Sequence, residues 1–225
     1  MNGRMNLAFR AIAKYTAGAV IMGVMLFLPA GTIHYAAGWR FLLVLFGPMV
    51  LLGLVLLLKA PELLEKRLNH KEKESAQKQV ISLSVMQFTA MFILAGLDYR
   101  LGWSDMPDWV SWLAAGILLV SYGLYGEVMR ENAWLSRTVE VQDGQKVVDT
   151  GMYGVVRHPM YAVTIWLFLS MPLVLGSIHA FLLFLVYPLL LVKRIRNEEE
   201  LLERELPGYR EYKQRVKYKI LPFVW

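Results

Sequence analysis

Four stretches of this chain, 15–33, 41–58, 80–97 and 109–126, contain no Asp, Glu, Lys or Arg. Each is about 18 residues or more, roughly the length a helix needs to cross a hydrocarbon core about 30 Å thick. A fifth uncharged stretch, 160–192, covers 33 residues. As one helix it would be about 50 Å long, at about 1.5 Å per residue. It reads instead as two short helices turning near Gly176-Ser-Ile-His179, each slightly short of a full crossing. The expected fold is therefore an all-α, polytopic integral membrane bundle. It has four transmembrane helices and a fifth apolar segment folded as a helical hairpin.

Composition agrees. Hydrophobic residues make up 56% and charged residues 19%, against about 45–50% and about 25% in a soluble domain. Low charge and 12% aromatic residues exclude disorder. Having no cysteine, the chain has no disulfide, thiolate metal site, cysteine nucleophile or S-palmitoylation. The first apolar segment is too long for a signal-peptide core and lacks a clear cleavage site, so it is expected to remain as an anchor. All of the 24 lysines and arginines except Arg40 and Arg100 fall on one side when the spans alternate. That side is expected to be cytoplasmic. The short opposite loops carry Trp39, Trp103 and Trp109, suited to an interfacial aromatic belt. Charge-free span cores and the lack of an internal repeat argue against a transporter. Nucleic-acid binding would need a soluble basic domain, which is missing.

The polar side therefore holds the chemistry. From Pro61 to about Gln77 the pattern fits a surface helix, with Leu63, Leu64 and Leu68 on an apolar face and Lys66, Arg67, Lys71 and Lys73 outside. Alternating β-branched residues around Gln142-Asp-Gly-Gln145 predict a short β-hairpin over 138–149. At Arg157-His158-Pro159-Met160-Tyr161 a guanidinium, an imidazole and a phenol meet where a membrane helix begins, with His158 as its expected cap. This is either an anion site or a turn whose arginine sits on lipid phosphate. Lys193-Arg-Ile-Arg-Asn-Glu-Glu-Glu200 places acids four residues after Arg194 and Arg196. These are either surface pairs, in the less favourable basic-first order, or a sign that one acid faces inward. Leu206-Pro-Gly208 stops a helix. Tyr209, Tyr212 and Val216 then recur at helical spacing among cations, as in an interfacial helix. No Gly-rich nucleotide fingerprint is present.

Gly151-Met-Tyr-Gly-Val-Val-Arg-His-Pro-Met-Tyr161, an apolar hairpin, Arg194-Ile-Arg-Asn-Glu-Glu199 and Tyr209-Arg-Glu-Tyr212 resemble the C-terminal core of the isoprenylcysteine carboxyl methyltransferases. The phospholipid N-methyltransferases share a looser version of this pattern. The resemblance divides the chain into N-terminal transmembrane helices with their polar loop, 1–130, and a C-terminal methyltransferase core, 131–225. It implies an integral membrane enzyme that uses S-adenosyl-L-methionine from the cytoplasm, with a lipophilic small molecule or lipidated cysteine as acceptor. The residues carried over are Arg157, His158, Tyr161, Glu198 and Glu199, with Arg194 nearby and no metal. One position departs: where many relatives have Gly, two places after the Tyr, this chain has Val163.

The residue chemistry is compatible with that assignment. Glu198 or Glu199 can neutralise an ammonium group, and His158 with backbone N–H groups can hold a carboxylate. Tyr153 or Tyr161 can face a sulfonium through cation–π attraction. Arg157 can orient an anionic acceptor in bidentate fashion, so the expected reaction is O-methylation of a lipophilic carboxylate. N-methylation of a phospholipid amine and a non-catalytic lipid-binding scaffold are the alternatives.

Overall fold

The computed structural model describes residues 2–68, 75–135 and 139–225 and is helical throughout its regular parts. The helices are α1 (Asn2–Ala30), α2 (Ala36–Lys59), α3 (Pro61–Leu68), α4 (Ser75–Leu101), α5 (Asp108–Glu131), α6 (Pro159–Val174), α7 (Ile178–Phe184), α8 (Tyr187–Glu205) and α9 (Tyr209–Arg215). The four expected spans lie within α1, α2, α4 and α5. Among the described residues, five helical stretches are long and apolar enough to cross a membrane, the fifth being Ile178–Glu205, where α7 runs almost directly into α8. The fifth apolar segment does fold as a hairpin. Its first limb, α6, is the short one at 16 residues. The return limb is longer than expected because it continues into the polar 193–205 sequence.

Local chemistry sets the breaks. At the hairpin turn Gly176 adopts φ +77, a left-handed conformation that a residue with a Cβ adopts only with strain. The Ser177 side chain then accepts from the Ala180 N–H to cap α7. Between α7 and α8, Pro188 has no N–H to give to the carbonyl four residues earlier, so the helix is interrupted there. α3 starts with Pro61 directly after α2. Its buried Leu64 and Leu68 pack on Leu7 and Ala11 of α1, and the Lys14 ammonium donates to the Leu68 carbonyl at 2.5 Å, where a cation complements the helix C-terminus. The side chains of Lys66 and Arg67, and all of Lys71 and Lys73, lie outside the described residues.

The hydrophobic interior is shared by all the long helices and includes Leu26, Phe41, Met91, Phe92, Leu118 and Ile195. An aromatic knot joins α4 to the hairpin. Phe88 meets Phe168 and Phe184 edge-on, each at 4.8 Å between ring centroids, and Phe184 stacks on Tyr187 at 5.1 Å. Large apolar residues such as Leu28, Leu43, Trp109, Val120 and Leu189 stay exposed on the outside. That is a liability in water and the expected surface in lipid.

The contacts also fix which ends lie together. Tyr35 stacks on Tyr99 at 4.2 Å, Arg40 pairs with Asp108 at 2.9 Å, and the Tyr35 hydroxyl donates to the Leu175 carbonyl. These contacts gather the 31–35 turn, the 102–107 loop and the hairpin turn at one end. At the opposite end are the start of α1, α3, the described parts of the connector (132–135 and 139–158), the polar half of α8, and α9 with the tail. The sequence-based sorting of polar segments onto a single end agrees with this arrangement.

Two expectations are corrected. No strand forms on either side of the 142–145 turn among the described residues, although the turn itself is made, with the Gln145 N–H donating to the Gln142 carbonyl at 3.0 Å. Two isolated strands are marginal in water. Here Val141 and Val147 instead pack against Leu202, Leu206 and Tyr209. His158 occupies the N-cap position of α6 without a side-chain capping bond, because its ring is engaged elsewhere.

Candidate active site

The 149–158 stretch is folded back on itself. A short 3-10 turn, Gly151–Gly154, leads to Val155 and Val156 and then to Arg157 and His158. Backbone hydrogen bonds tie this segment to the tail. The Arg157 N–H donates to the Tyr218 carbonyl at 2.9 Å and the His158 N–H to the Lys219 carbonyl at 2.8 Å. Arg157 Nη1 donates further to the carbonyls of Val216, at 2.7 Å, and Lys217, at 2.8 Å.

Glu199 is the electrostatic centre of this assembly. It is 4% exposed and accepts from Arg157 Nε at 2.8 Å and from His158 Nε2 at 3.1 Å. Lys219 Nζ lies 3.3 Å from its other oxygen. An ionised carboxylate only accepts hydrogen bonds, so His158 carries its proton on Nε2. His158 can then hold a ligand carboxylate through Nδ1 only as an imidazolium. With Nε and Nη1 of Arg157 engaged within the protein, at most Nη2 remains for an acceptor.

Glu198, one residue earlier and half-buried, faces a different way. The Tyr161 hydroxyl donates to Glu198 Oε2 at 2.5 Å and accepts from Arg194 Nε at 2.9 Å. This relay lines a cavity that is open on one side. Tyr153, Arg157, His158, Tyr161, Arg194 and Glu198 all line it, so the structure brings the sequence-derived site residues together around one space. Glu199 lies behind the wall. Glu200, the third acid, is exposed.

The sequence reading did not place several other walls in the site. Val139, Gln145, Lys146, Val147 and Val148 close the cavity from the connector, while Leu202, Leu206, Tyr209 and Tyr212 close it from the end of α8 and from α9. Tyr209 and Tyr212 are buried against protein, at 4% and 2% exposure, rather than laid on a lipid surface. The Tyr212 hydroxyl donates to the Tyr153 carbonyl at 2.7 Å, and Asn132 donates to the Tyr153 hydroxyl at 3.0 Å. Burial, followed by the Glu199 and Glu198 carboxylates, pushes the Tyr209 phenol pKa well above its ordinary value, so that hydroxyl keeps its proton. Val163 is buried and packs on Val128 and Tyr153. The departure from glycine thus supports a cavity wall from behind.

Residues 113–204 match the model of the isoprenylcysteine carboxyl methyltransferase (ICMT) family. The match spans the Arg-His-Pro-x-Tyr turn and the acidic cluster, two of the stretches that carry the resemblance in the sequence; the third, Tyr209-Arg-Glu-Tyr212, lies beyond it. It supports a membrane methyltransferase of the isoprenylcysteine type. The Delta(14)-sterol reductase of Mus musculus is 33% identical over 91 residues, 39% of this chain and 22% of that protein. The nickel-cobalt-cadmium resistance protein NccN of Alcaligenes xylosoxydans xylosoxydans is 29% identical over 118 residues, 51% of this chain and 54% of that protein. The chain thus spans about a fifth and about half of the lengths of these relatives.

Proposed function

We propose that this protein transfers the methyl group of S-adenosyl-L-methionine to the carboxylate of a lipophilic acceptor, such as a lipidated cysteine, at the cytoplasmic face of a membrane. The observation that carries the reading is the single cavity on which the Arg157–Tyr161 turn and the Arg194–Glu198 helix converge. Its chemistry fits the cofactor. Glu198 offers a carboxylate to an ammonium group, Tyr153 and Tyr161 offer ring faces to a sulfonium, and apolar walls suit the remaining surface. When bound, the cofactor supplies an electrophilic methyl group on sulfur.

The chain's own residues have the tasks of binding, alignment and exclusion of water. Glu198, held by Tyr161, fixes the charged end of the ligand. Arg194, bonded to the same phenol, keeps that hydroxyl oriented toward Glu198. The buried Arg157–Glu199–His158 cluster holds the tail against the turn, so that the wall carrying Tyr161 is rigid. Through Nη2, Arg157 orients an anionic acceptor. Because a carboxylate is already ionised at neutral pH, no general base is required.

Calorimetry on the protein in detergent micelles tests the proposal. Saturable binding of S-adenosylhomocysteine is expected. No heat or thermal shift at millimolar ligand would leave a lipid-binding scaffold as the better reading.

A further inference from the structure

Tyr209 and Tyr212 turn inward, so the aromatic face of α9 does not lie on lipid. The chain that follows α9 carries an exposed apolar tip instead. Phe223, at 87%, is the most exposed large apolar side chain among the described residues, Val224 follows at 76%, and Leu221 is exposed beside them.

The tip has a fixed shape. The N–H groups of Lys219, Ile220 and Leu221 donate to the Trp225 carbonyl at 2.9, 3.1 and 3.1 Å, and the Val224 N–H donates to the Leu221 carbonyl at 3.2 Å. Residues 219–225 thus close into a loop. Phe223, at φ +64, is the one non-glycine residue with positive φ among the described residues, a conformation unfavourable for a bulky side chain. Its ring lies 5.2 Å from that of Tyr218, centroid to centroid. The fold therefore presents an aromatic ring to the outside at some conformational cost.

The position of the loop identifies what it meets. The Lys219 carbonyl accepts from the His158 N–H, directly before α6 begins at Pro159. Ile220 belongs to the interior shared by the long helices, and Trp225 packs against it. The loop therefore sits where the spans end, at the level of a membrane surface. Nearby, exposed Lys217 and Arg210 pair with no acid among the described residues. A second copy of this face would bring the same cations, whereas anionic lipid head groups complement them.

We propose that Leu221, Phe223 and Val224 insert into the head-group region of an anionic phospholipid bilayer, and that this contact helps to hold the tail against the Arg157–His158 turn. The inference does not depend on the methyltransferase reading.

Because the chain has no cysteine, Phe223→Cys and Val224→Cys can each carry a polarity-sensitive fluorophore in nanodiscs of anionic phospholipid, with Glu211→Cys, exposed on α9, as the reference. At positions 223 and 224 the emission should shift to the blue and be quenched by a nitroxide near the head-group end of the acyl chains, with little effect of aqueous iodide. At position 211 iodide should quench and the nitroxide should not. Iodide quenching at 223 and 224 equal to that at 211 would overturn the proposal. Protection from both quenchers would also overturn it, because protein would then cover the tip. Phe223→Asp tests the second part, since aspartate tolerates positive φ better than phenylalanine. In nanodiscs, trypsin should cleave this variant after Lys217 and Lys219 severalfold faster than the parent. Equal rates would show that the tail is held without lipid, and the proposed bracing would fall.

Discussion

Replacing Glu199 by glutamine separates the two adjacent acids by their surroundings. The Glu199 side chain is 6% exposed and its partner Arg157 4%, so the change removes the negative charge from a buried pair and leaves the guanidinium without a counter-ion. Breaking such a pair costs about 3–5 kcal/mol. The amide retains an oxygen for Arg157 Nε, which places the expected loss near the lower edge, about 3 kcal/mol. Because Arg157 also holds the Val216 and Lys217 carbonyls, the tail should loosen as well and be cleaved faster by trypsin after Lys217 and Lys219. Glu198→Gln should behave in the opposite way. Glu198 is half-buried on the cavity wall, and its amide can still accept from Tyr161, so stability should change by less than about 1 kcal/mol. S-adenosylhomocysteine should bind more weakly by about 1.5–3 kcal/mol, the value of a hydrogen bond to a charged group. Denaturant titration in detergent micelles reads the first quantity and calorimetry the second. If Glu199→Gln unfolds within 1 kcal/mol of the parent, or if Glu198→Gln is the less stable of the two, the division between a structural and a ligand-facing acid is wrong.

Gly96→Ala should destabilise the bundle by about 1–3 kcal/mol, measured by thermal unfolding, because a Cβ there would come within 2.5 Å of the Leu26 carbonyl oxygen of α1. Since the chain has no cysteine, single cysteines report topology. In intact cells Asp105→Cys should react with an impermeant thiol reagent and Glu211→Cys should be shielded; labelling of position 211 alone would invert the proposed orientation. With saturating cofactor and subsaturating acceptor, the methylation rate should be nearly flat between about pH 6.5 and 8.5, as a carboxylate acceptor does not change charge there. A rate rising about tenfold per pH unit would indicate an amine acceptor that must first lose a proton.

The spans were legible because a charge-free run is a direct consequence of the solvent it faces, and the hairpin turn because Gly176 sits at its midpoint. The inward acid was not read to a single residue, although the signal existed. Tyr187, Leu191, Ile195 and Glu199 recur every four residues and are all buried, so the apolar stripe of α8 leads to Glu199. Glu198 falls on the adjoining face with Arg194. The hairpin over 138–149 failed because its alternating side chains found a better partner in α8 and α9 than in each other, a tertiary preference that local pattern does not encode. The place of Tyr209 in the cavity wall was hidden for a related reason. Its spacing gives its face of α9, while what that face meets depends on the connector folding over it.

Asp98 shows why the cavity, rather than the opposite end, is proposed as the site. It is 2% exposed, at the end of α4, and polar residues crowd around it. Its carboxylate accepts from the Ser104 N–H at 2.7 Å, the Ser104 hydroxyl at 2.6 Å and the Ser177 hydroxyl, with His179 Nδ1 3.3 Å away. Nearby, Arg40 is held by Asp108 at 2.9 Å and by Ser111 at 2.6 Å, and it lies 4.1 Å from the Trp112 ring centroid. These groups satisfy one another and tie α2, α4 and α5 to the hairpin turn, as expected of a network that fixes a fold. At the other end the Glu199 cluster does the same for the tail, but the wall in front of it is less complete. Tyr209 has a donor with no acceptor among the described residues, and the described part of the connector is irregular apart from the 3-10 turn at Gly151–Gly154. Fixed helix ends on one side and an incompletely satisfied cavity on the other are what a bundle needs in order to bind a polar ligand next to a membrane.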